Sequence, residues 1–204
     1  MPSEMRIVLA GVGGQGTVLA GNILALSAIQ AGLSVRTYGD MGMARRGGSV
    51  SAFVNISRKP GSSSTAEGTA DVLLGIEPIE AVRYCRYLRK DGIAIINTHI
   101  IPPSTLTRKD RAAMPVLGDL HAFIKKNFKN TIAIDAFSLA KKTGPVTMNM
   151  VMLGAAFATG LMPIPTETFK HTVRDSFSPE SAKKNLEAFE RGYKEYKRMM
   201  KGGG

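Results

Sequence analysis

Cysteine is nearly absent from the 204 residues: Cys85 stands alone. An internal disulfide needs a second thiol and an iron–sulfur cluster takes about four thiolates, so this chain by itself holds neither. A closed, cysteine-rich zinc site is excluded on the same count. His99, His121 and His171 are far apart in sequence and lack metal-ligand spacing, so no metal site is expected and each reads as a surface or capping residue. No apolar run is long enough for a bilayer. The longest, residues 146–161, is interrupted by Thr147, Asn149 and Thr159 and reads as a buried helix. Residues 1–6 lack the features of a secretory leader, so a soluble, cytoplasmic chain without membrane contact is expected. There is no G-x-S-x-G elbow, no Walker motif and no internal set of acid, base and nucleophile, so no catalytic residue is assigned.

Acidic residues are scarce, 16 against 27 Lys and Arg, which leaves a net charge of +11. The cations are spread along the chain, from Arg36, Arg45 and Arg46 through Lys125, Lys126 and Lys129 to the last helix. No aromatic-interleaved RNA-binding motif accompanies them, so a solvated basic surface is expected rather than a nucleic-acid interface. Such a field also draws polyanionic metabolites or an acidic protein.

What is present is an apolar content of 44%, enough for one domain with a real core. Residues 5–10 (MRIVLA) read as a buried strand that runs into Gly11-Val12-Gly13-Gly14-Gln15-Gly16. Residues 17–31, apolar on most faces and closed by Gly32, read as a helix, and 33–38 as a second strand. This is a right-handed, parallel βαβ unit. Residues 49–56 alternate, with Val50, Ala52, Val54 and Ile56 on one face, as in a half-covered strand. A Gly/Ser/Pro-rich loop spans 57–70.

Further strands are expected at 72–76, 93–97 and 132–134, with a short one at 115–117. Helices are expected at 78–88, 120–128, up to 142, and over 148–159. In the last of these, Gly154, Ala155, Ala156 and Ala158 permit close packing on the sheet. Ser178-Pro179-Glu180 starts a final helix over about 179–201, with Leu186, Phe189, Tyr193, Tyr196 and Met200 as one apolar stripe. The whole reads as a single α/β domain over 1–204: a doubly wound, mostly parallel, Rossmann-like sheet with helices on both faces.

Ligands of such sheets sit beyond the carboxyl ends of the strands. Those ends carry Gly11 to Gly16, then Asp40 with Arg45-Arg46-Gly47-Gly48-Ser49, then Glu77, then Asn97, Thr98 and His99, then Asp135. The glycine turn matches G-x-G-x-x-G after a strand and before a helix, where Gly11, Gly13, Gly14 and Gly16 either let backbone N–H groups approach a phosphate or serve only to pack helix on strand. Arg46 beside Gly47 and Gly48 suits a carboxylate or phosphate clamp. Cys85, on a helix between Tyr84 and Arg86, reads as a spectator thiol.

The runs Gly11-Val12-Gly13-Gly14-Gln15-Gly16-Thr17 and Gly42-Met43-Ala44-Arg45-Arg46-Gly47-Gly48-Ser49-Val50 resemble the gamma-type domain of the 2-oxoacid:ferredoxin oxidoreductases, nearest the indolepyruvate branch. Gly75-Ile76-Glu77-Pro78, Asn97-Thr98 with Pro102-Pro103, Asp135-Ala136, Asn149 to Ala155, and Asn185 with Ala188-Phe189-Glu190 and Gly192 extend the resemblance over nearly the whole chain.

The resemblance implies a subunit that is inactive alone. A larger partner subunit would hold thiamine diphosphate, magnesium and iron–sulfur clusters, and no cofactor would be bound by this chain alone. The assembly would oxidatively decarboxylate a 2-oxoacid, indolepyruvate or another aryl pyruvate, to an acyl-CoA, with ferredoxin as electron acceptor. CoA and substrate would be met by Gly11, Gly13, Gly14, Gln15, Gly16, Thr17, Arg46, Gly47, Gly48, Ser49 and Asn149. Pyruvate, 2-oxoglutarate and 2-oxoisovalerate are alternative substrates. Two other readings of the residues are a free-standing Rossmann-type NAD(P)-binding enzyme and a basic interaction module.

Overall fold

The computed structural model describes residues 4–39, 47–60, 64–102 and 114–202. Six strands form one sheet: β1 (Glu4–Val12), β2 (Ser34–Tyr38), β3 (Ser49–Ser57), β4 (Ala70–Gly75), β5 (Leu88–Asn97) and β6 (Asn130–Ile134), in the order β2-β3-β1-β4-β5-β6. β1, β4, β5 and β6 pair in parallel, as in Ile7↔Val72 and Val72↔Ile93. β3 runs antiparallel to both of its neighbours, with Ile7↔Val54 on one side and Thr37↔Val54 on the other. β1 and β2 therefore run the same way, as the sequence predicts, but they do not touch.

The inserted strand also corrects the half-covered reading of residues 49–56. β3 is central, so both of its faces close. Ala52, Val54 and Ile56 meet α1 (Thr17–Gln30), where Gly21 lets the helix lie against Ala52 and Val54. On the other face Phe53 stacks on Tyr38 at 4.6 Å and meets the edge of Tyr87 at 5.0 Å. The polar Asn55 is buried without penalty to its carbonyl, because Oδ1 accepts the Thr65 hydroxyl at 2.7 Å.

Alternate residues of each inner strand point to opposite layers. Met5, Ile7 and Leu9 join the core under α1, α4 (Ala136–Ala140), α5 (Met148–Ala158), α6 (Thr166–Ser176) and α7 (Pro179–Gly202). Val8 and Ala10 join the core under α2 (Pro78–Tyr84) and α3 (Leu117–Asn127). The sheet is thus doubly wound, with the heavier helical layer on one face. Every residue of α5 is buried, between the sheet and α7. Its small residues serve the α7 contact as well as the sheet: a Cβ on Gly154 would stand 1.9 Å from the Phe189 carbonyl oxygen.

Local details differ from these expectations. α2 stops at Tyr84, a 3₁₀ turn (Cys85–Tyr87) follows, and Leu88 already pairs with Ala70 across a bulge. Residues 115–117 form no strand, because Leu117 opens α3. α6 has no counterpart among the expected helices. Along α7, Phe189 and Tyr196 are buried, but Met200 is half exposed where the helix runs past the sheet. α1 is apolar all round and carries no charged side chain. It buries Ile23 and Leu24 and leaves Leu19, Leu26 and Ile29 exposed.

Candidate functional site

After β1 the chain crosses to one face of the sheet through α1, and after β4 it crosses to the other through α2. The carboxyl ends of these neighbours therefore diverge, which opens a crevice at the switch point. A cleft of about 390 Å³ occupies it. One wall is the glycine turn, with Val12, Gly13, Gly14 and Gln15, closed by Gly47. The other wall is apolar: Ile101, Phe137, Val146 and Met148, together with His99. His99 lies flat on Phe137, with ring centroids 4.0 Å apart and planes 7° from parallel.

The turn is held from below by side chains. Gln15 folds inward, 6% exposed; its Oε1 accepts the Val12 N–H at 2.8 Å and its Nε2 donates to the Ile76 carbonyl at 3.3 Å. This ties the ends of β1 and β4 together. Gly11 must be glycine for that clamp, since a Cβ would stand 2.5 Å from Thr17 Oγ1 and 2.8 Å from Gln15 Oε1. Gly16 has φ 74° and ends the turn as the helix cap, with no side chain capping α1 and no acid in its first turn. Asn149 Nδ2 donates to the Gly16 carbonyl at 3.0 Å, so α5 braces the turn from behind. Gly14 is exposed with open space around it.

The predicted site residues divide accordingly. Gly13, Gly14, Gln15 and Gly47 line the cleft, whereas Gly11, Gly16, Thr17 and Asn149 lie beneath or behind it as supports. Gly13 N–H donates to the Gly48 carbonyl at 2.9 Å and Gly47 N–H returns to the Gly13 carbonyl at 3.3 Å, so the second glycine pair is stitched to the first. Ser49 turns its hydroxyl away, to Glu80. Arg46, Arg45, Asp40 and Pro103 lie outside the described residues. The apolar wall is what the sequence did not reveal. His99 reads there as a surface residue, and Phe137, Val146 and Met148 come from segments 40 to 50 residues further on.

Two polar knots hold the remaining strand ends. Asn97, fully buried, donates to the Ile76 carbonyl at 3.0 Å and accepts the Ala136 N–H at 3.1 Å, which joins β4, β5 and the start of α4. Glu77, 1% exposed, accepts the Glu80 N–H at 2.9 Å and the Ile101 N–H at 3.3 Å. Burial pushes its carboxyl above the usual carboxylate range, against the lowering effect of those N–H groups. Asp135 caps α4 through the Ser138 N–H. The Cys85 thiol donates to the Val82 carbonyl at 3.0 Å, and burial raises its pKa, so it has no thiolate character to offer. Among the described residues no three His, Cys, Asp or Glu side chains converge as a metal site, and no helix is long and apolar enough to cross a membrane.

Comparison with known proteins extends over nearly the entire chain. Residues 6–195 match the family described as pyruvate ferredoxin/flavodoxin oxidoreductase. The chain is 38% identical to the indolepyruvate oxidoreductase subunit IorB of Thermococcus kodakarensis, covering 97% of this chain and 98% of that one. It is 32% identical to the common gamma subunit of the pyruvate/ketoisovalerate oxidoreductases of Pyrococcus abyssi, over 90% and 92% of the two chains. In fold it is similar to part of the 2-oxoglutarate:ferredoxin oxidoreductase of Magnetococcus marinus, with a TM-score of 0.71 at 22% identity, covering 97% of this chain and 32% of that one. A glycine turn braced by Gln15 and Asn149, at the switch point of a doubly wound sheet, thus sits in a chain that belongs to the pyruvate ferredoxin/flavodoxin oxidoreductase family, among the small subunits of its oxoacid oxidoreductases.

Proposed function

We propose that this chain is the small subunit of an indolepyruvate or aryl-pyruvate:ferredoxin oxidoreductase, and that its cleft holds part of CoA while a larger subunit carries the redox groups. The observation that carries this reading is the makeup of the cleft: backbone and apolar side chains, with the nearby acids turned inward as braces. Such walls bind and orient, and His99, the one titratable side chain among the described lining residues, lies flat on Phe137. The residues present do not fit an iron–sulfur cluster, since the one thiol is buried and bonded to a carbonyl, and no step is assigned to one here. In the assembled reaction a 2-oxoacid loses carbon dioxide and two electrons, the electrons pass to ferredoxin, and the acyl group is transferred to the CoA sulfur.

CoA fits this cleft in chemistry. Its phosphates suit the open backbone of Gly14 at the positive end of α1, and the +11 chain favours their approach. Its apolar parts suit Ile101, Val146 and Met148. Arg46, beside the cleft-lining Gly47 in sequence, supplies a cation. The relatives named for pyruvate and ketoisovalerate favour a second reading in which another 2-oxoacid is preferred and the partner's pocket decides between them.

The test is anaerobic affinity purification of the chain with its partner, followed by CoA-dependent ferredoxin reduction with indolepyruvate, pyruvate and 2-oxoisovalerate. Preference for indolepyruvate, and a raised KM for CoA in Arg46→Ala, are expected. Turnover by Arg46→Ala indistinguishable from wild type at limiting CoA would remove the CoA role. A colourless chain that purifies alone and binds NAD(P)H would remove the subunit reading.

A further inference from the structure

Two glutamates leave β4 together on the first turn of α2, and each reaches a different rim of the cleft. Glu77 Oε2 accepts the Glu80 N–H at 2.9 Å, which is an ordinary helix cap. Its second oxygen, Oε1, accepts the Ile101 N–H at 3.3 Å, and Ile101 lines the apolar wall. Glu80 Oε2 accepts the Ser49 hydroxyl at 2.6 Å and faces Arg83 Nε at 3.2 Å. Ser49 directly follows Gly47 and Gly48, which are bonded in both directions to Gly13 of the glycine turn.

Capping accounts for only half of Glu77 and for none of Glu80. Both carboxyls are nearly out of solvent, 1% and 5% exposed, a costly place for a group that a surface acid would replace if helix stability were its whole purpose. What the pair adds is a rigid link between two rims that are distant in sequence. One helix turn reaches Ser49, already paired with Val12 across the sheet, through Glu80, and residue 101 through Glu77.

We infer that Glu77 and Glu80 are positioning residues that clamp the Gly47–Ser49 rim and the Ile101 rim to one helix, and so set the width of the cleft for its ligand. They touch no ligand themselves. The kinetic part of the inference rests on the CoA reading above; the structural part does not.

The experiment uses the full chain in its native complex. Amide hydrogen exchange is read at residues 47–49 and 99–101, and steady-state kinetics are measured with CoA varied. Glu80→Ala should speed exchange at 47–49 by about tenfold or more, the loss of one charge-assisted hydrogen bond. It should also raise the KM for CoA by about threefold or more while kcat holds. Glu80→Gln should restore both, because an amide oxygen still accepts the Ser49 hydroxyl.

Glu77→Gln should not be rescued in the same way. Its site presents two N–H donors, and the single amide oxygen satisfies one, so exchange rises at either 80 or 101. Ser49→Ala should reproduce the exchange pattern of Glu80→Ala without touching α2, which keeps the test decisive if Glu77 variants fail to fold. Unchanged exchange at both rims overturns the clamp. Faster exchange with an unchanged KM, or a fall in kcat alone, overturns the part in which the clamp sets the cleft for its ligand. If the wild-type complex shows no CoA-dependent turnover, the proposed function fails, while the exchange pattern and its rescue by Glu80→Gln still decide whether the clamp exists.

Discussion

Gly192→Ala tests how the two long helices are locked. A Cβ at Gly192 would stand 1.8 Å from the carbonyl oxygen of Val151, and one at Gly154 would stand 1.9 Å from that of Phe189. Both obstacles are backbone, so no change of rotamer clears them. Ordinary contact begins near 3.4 Å, so α5 and α7 would have to part by about 1.5 Å at the crossing. α5 is buried on every side and cannot retreat into the sheet, so α7 must lift and take the Phe189 ring partly out of its contacts with Phe157 and Phe169. Overpacking of this kind costs about 3 kcal/mol at the upper end of its usual range, and alanine returns about 1 kcal/mol of helix propensity. The net loss is about 2 kcal/mol, which lowers Tm by about 4–8 °C in a domain of this size. Thermal unfolding followed by circular dichroism measures it, with Gly118→Ala as the control. Gly118 lies in α3 with nothing within 4 Å of its added Cβ, so that variant should hold or gain stability. The double variant Gly154→Ala, Gly192→Ala should cost less than the sum of the two, because one separation accommodates both methyl groups. A Gly192→Ala protein that melts at or above the wild-type temperature would refute the reasoning.

Three further outcomes are expected. Gln15→Ala strips its partner from the buried Val12 N–H, while the Ile76 carbonyl keeps Asn97, and should cost about 1–3 kcal/mol in urea unfolding, with Gln15→Glu intermediate because it keeps only the acceptor. Asn97→Asp keeps the bond from Ala136 N–H but sets a carboxylate against the Ile76 carbonyl; it should cost about 3 kcal/mol or more at pH 7 and less at pH 5, where a protonated acid can donate again. For Glu77 the folded pKa lies above the unfolded one, so its contribution is fully present below the unfolded value and is lost as pH rises through the folded value. The melting temperature of wild type relative to Glu77→Gln should therefore rise as pH falls from 7 towards 4.5, and a flat or opposite trend would contradict the burial argument.

The strands that carry continuous apolar runs, β1, β4 and the second half of β5, are legible because both of their faces are covered and every position is selected for burial. The place of β3 is not legible in the same way. Its pattern of Val50, Ala52, Val54 and Ile56 reports one covered face, and nothing local says that Tyr38, Tyr84 and Tyr87 arrive to cover Phe53 on the other. α6 escapes for the opposite reason. Only Phe169, Thr172 and Val173 are buried in it, a spacing of three and four that polar neighbours dilute. Pro165 just before it is the start signal that the sequence does offer. In the site, the glycine turn is legible because it lies within a motif of six consecutive residues, the first two of which end β1. The facing wall is assembled by the sheet from the ends of β5 and β6 and the start of α5, so it has no local signature.

The division between those two walls explains why so few side chains at the strand ends look chemical. Gln15, Glu77, Glu80, Asn97, Asp135 and Asn149 are the polar groups that topology gathers at the switch point, and each has its main hydrogen bonds to the protein. A parallel sheet leaves its strand ends splayed and its last carbonyls and N–H groups unpaired, so a cleft that must keep one shape has to satisfy them from side chains. Here that demand consumes the acids and amides. Among the described residues, what remains facing the cleft is the turn at Gly13 and Gly14, the His99 ring on Phe137 and an apolar lining. A surface of that kind can select a ligand by shape and by phosphate-suited backbone, with His99 as its one titratable side chain among the described residues. In a family whose members are oxidoreductases, the braces of this chain matter because they hold the cleft to a fixed geometry.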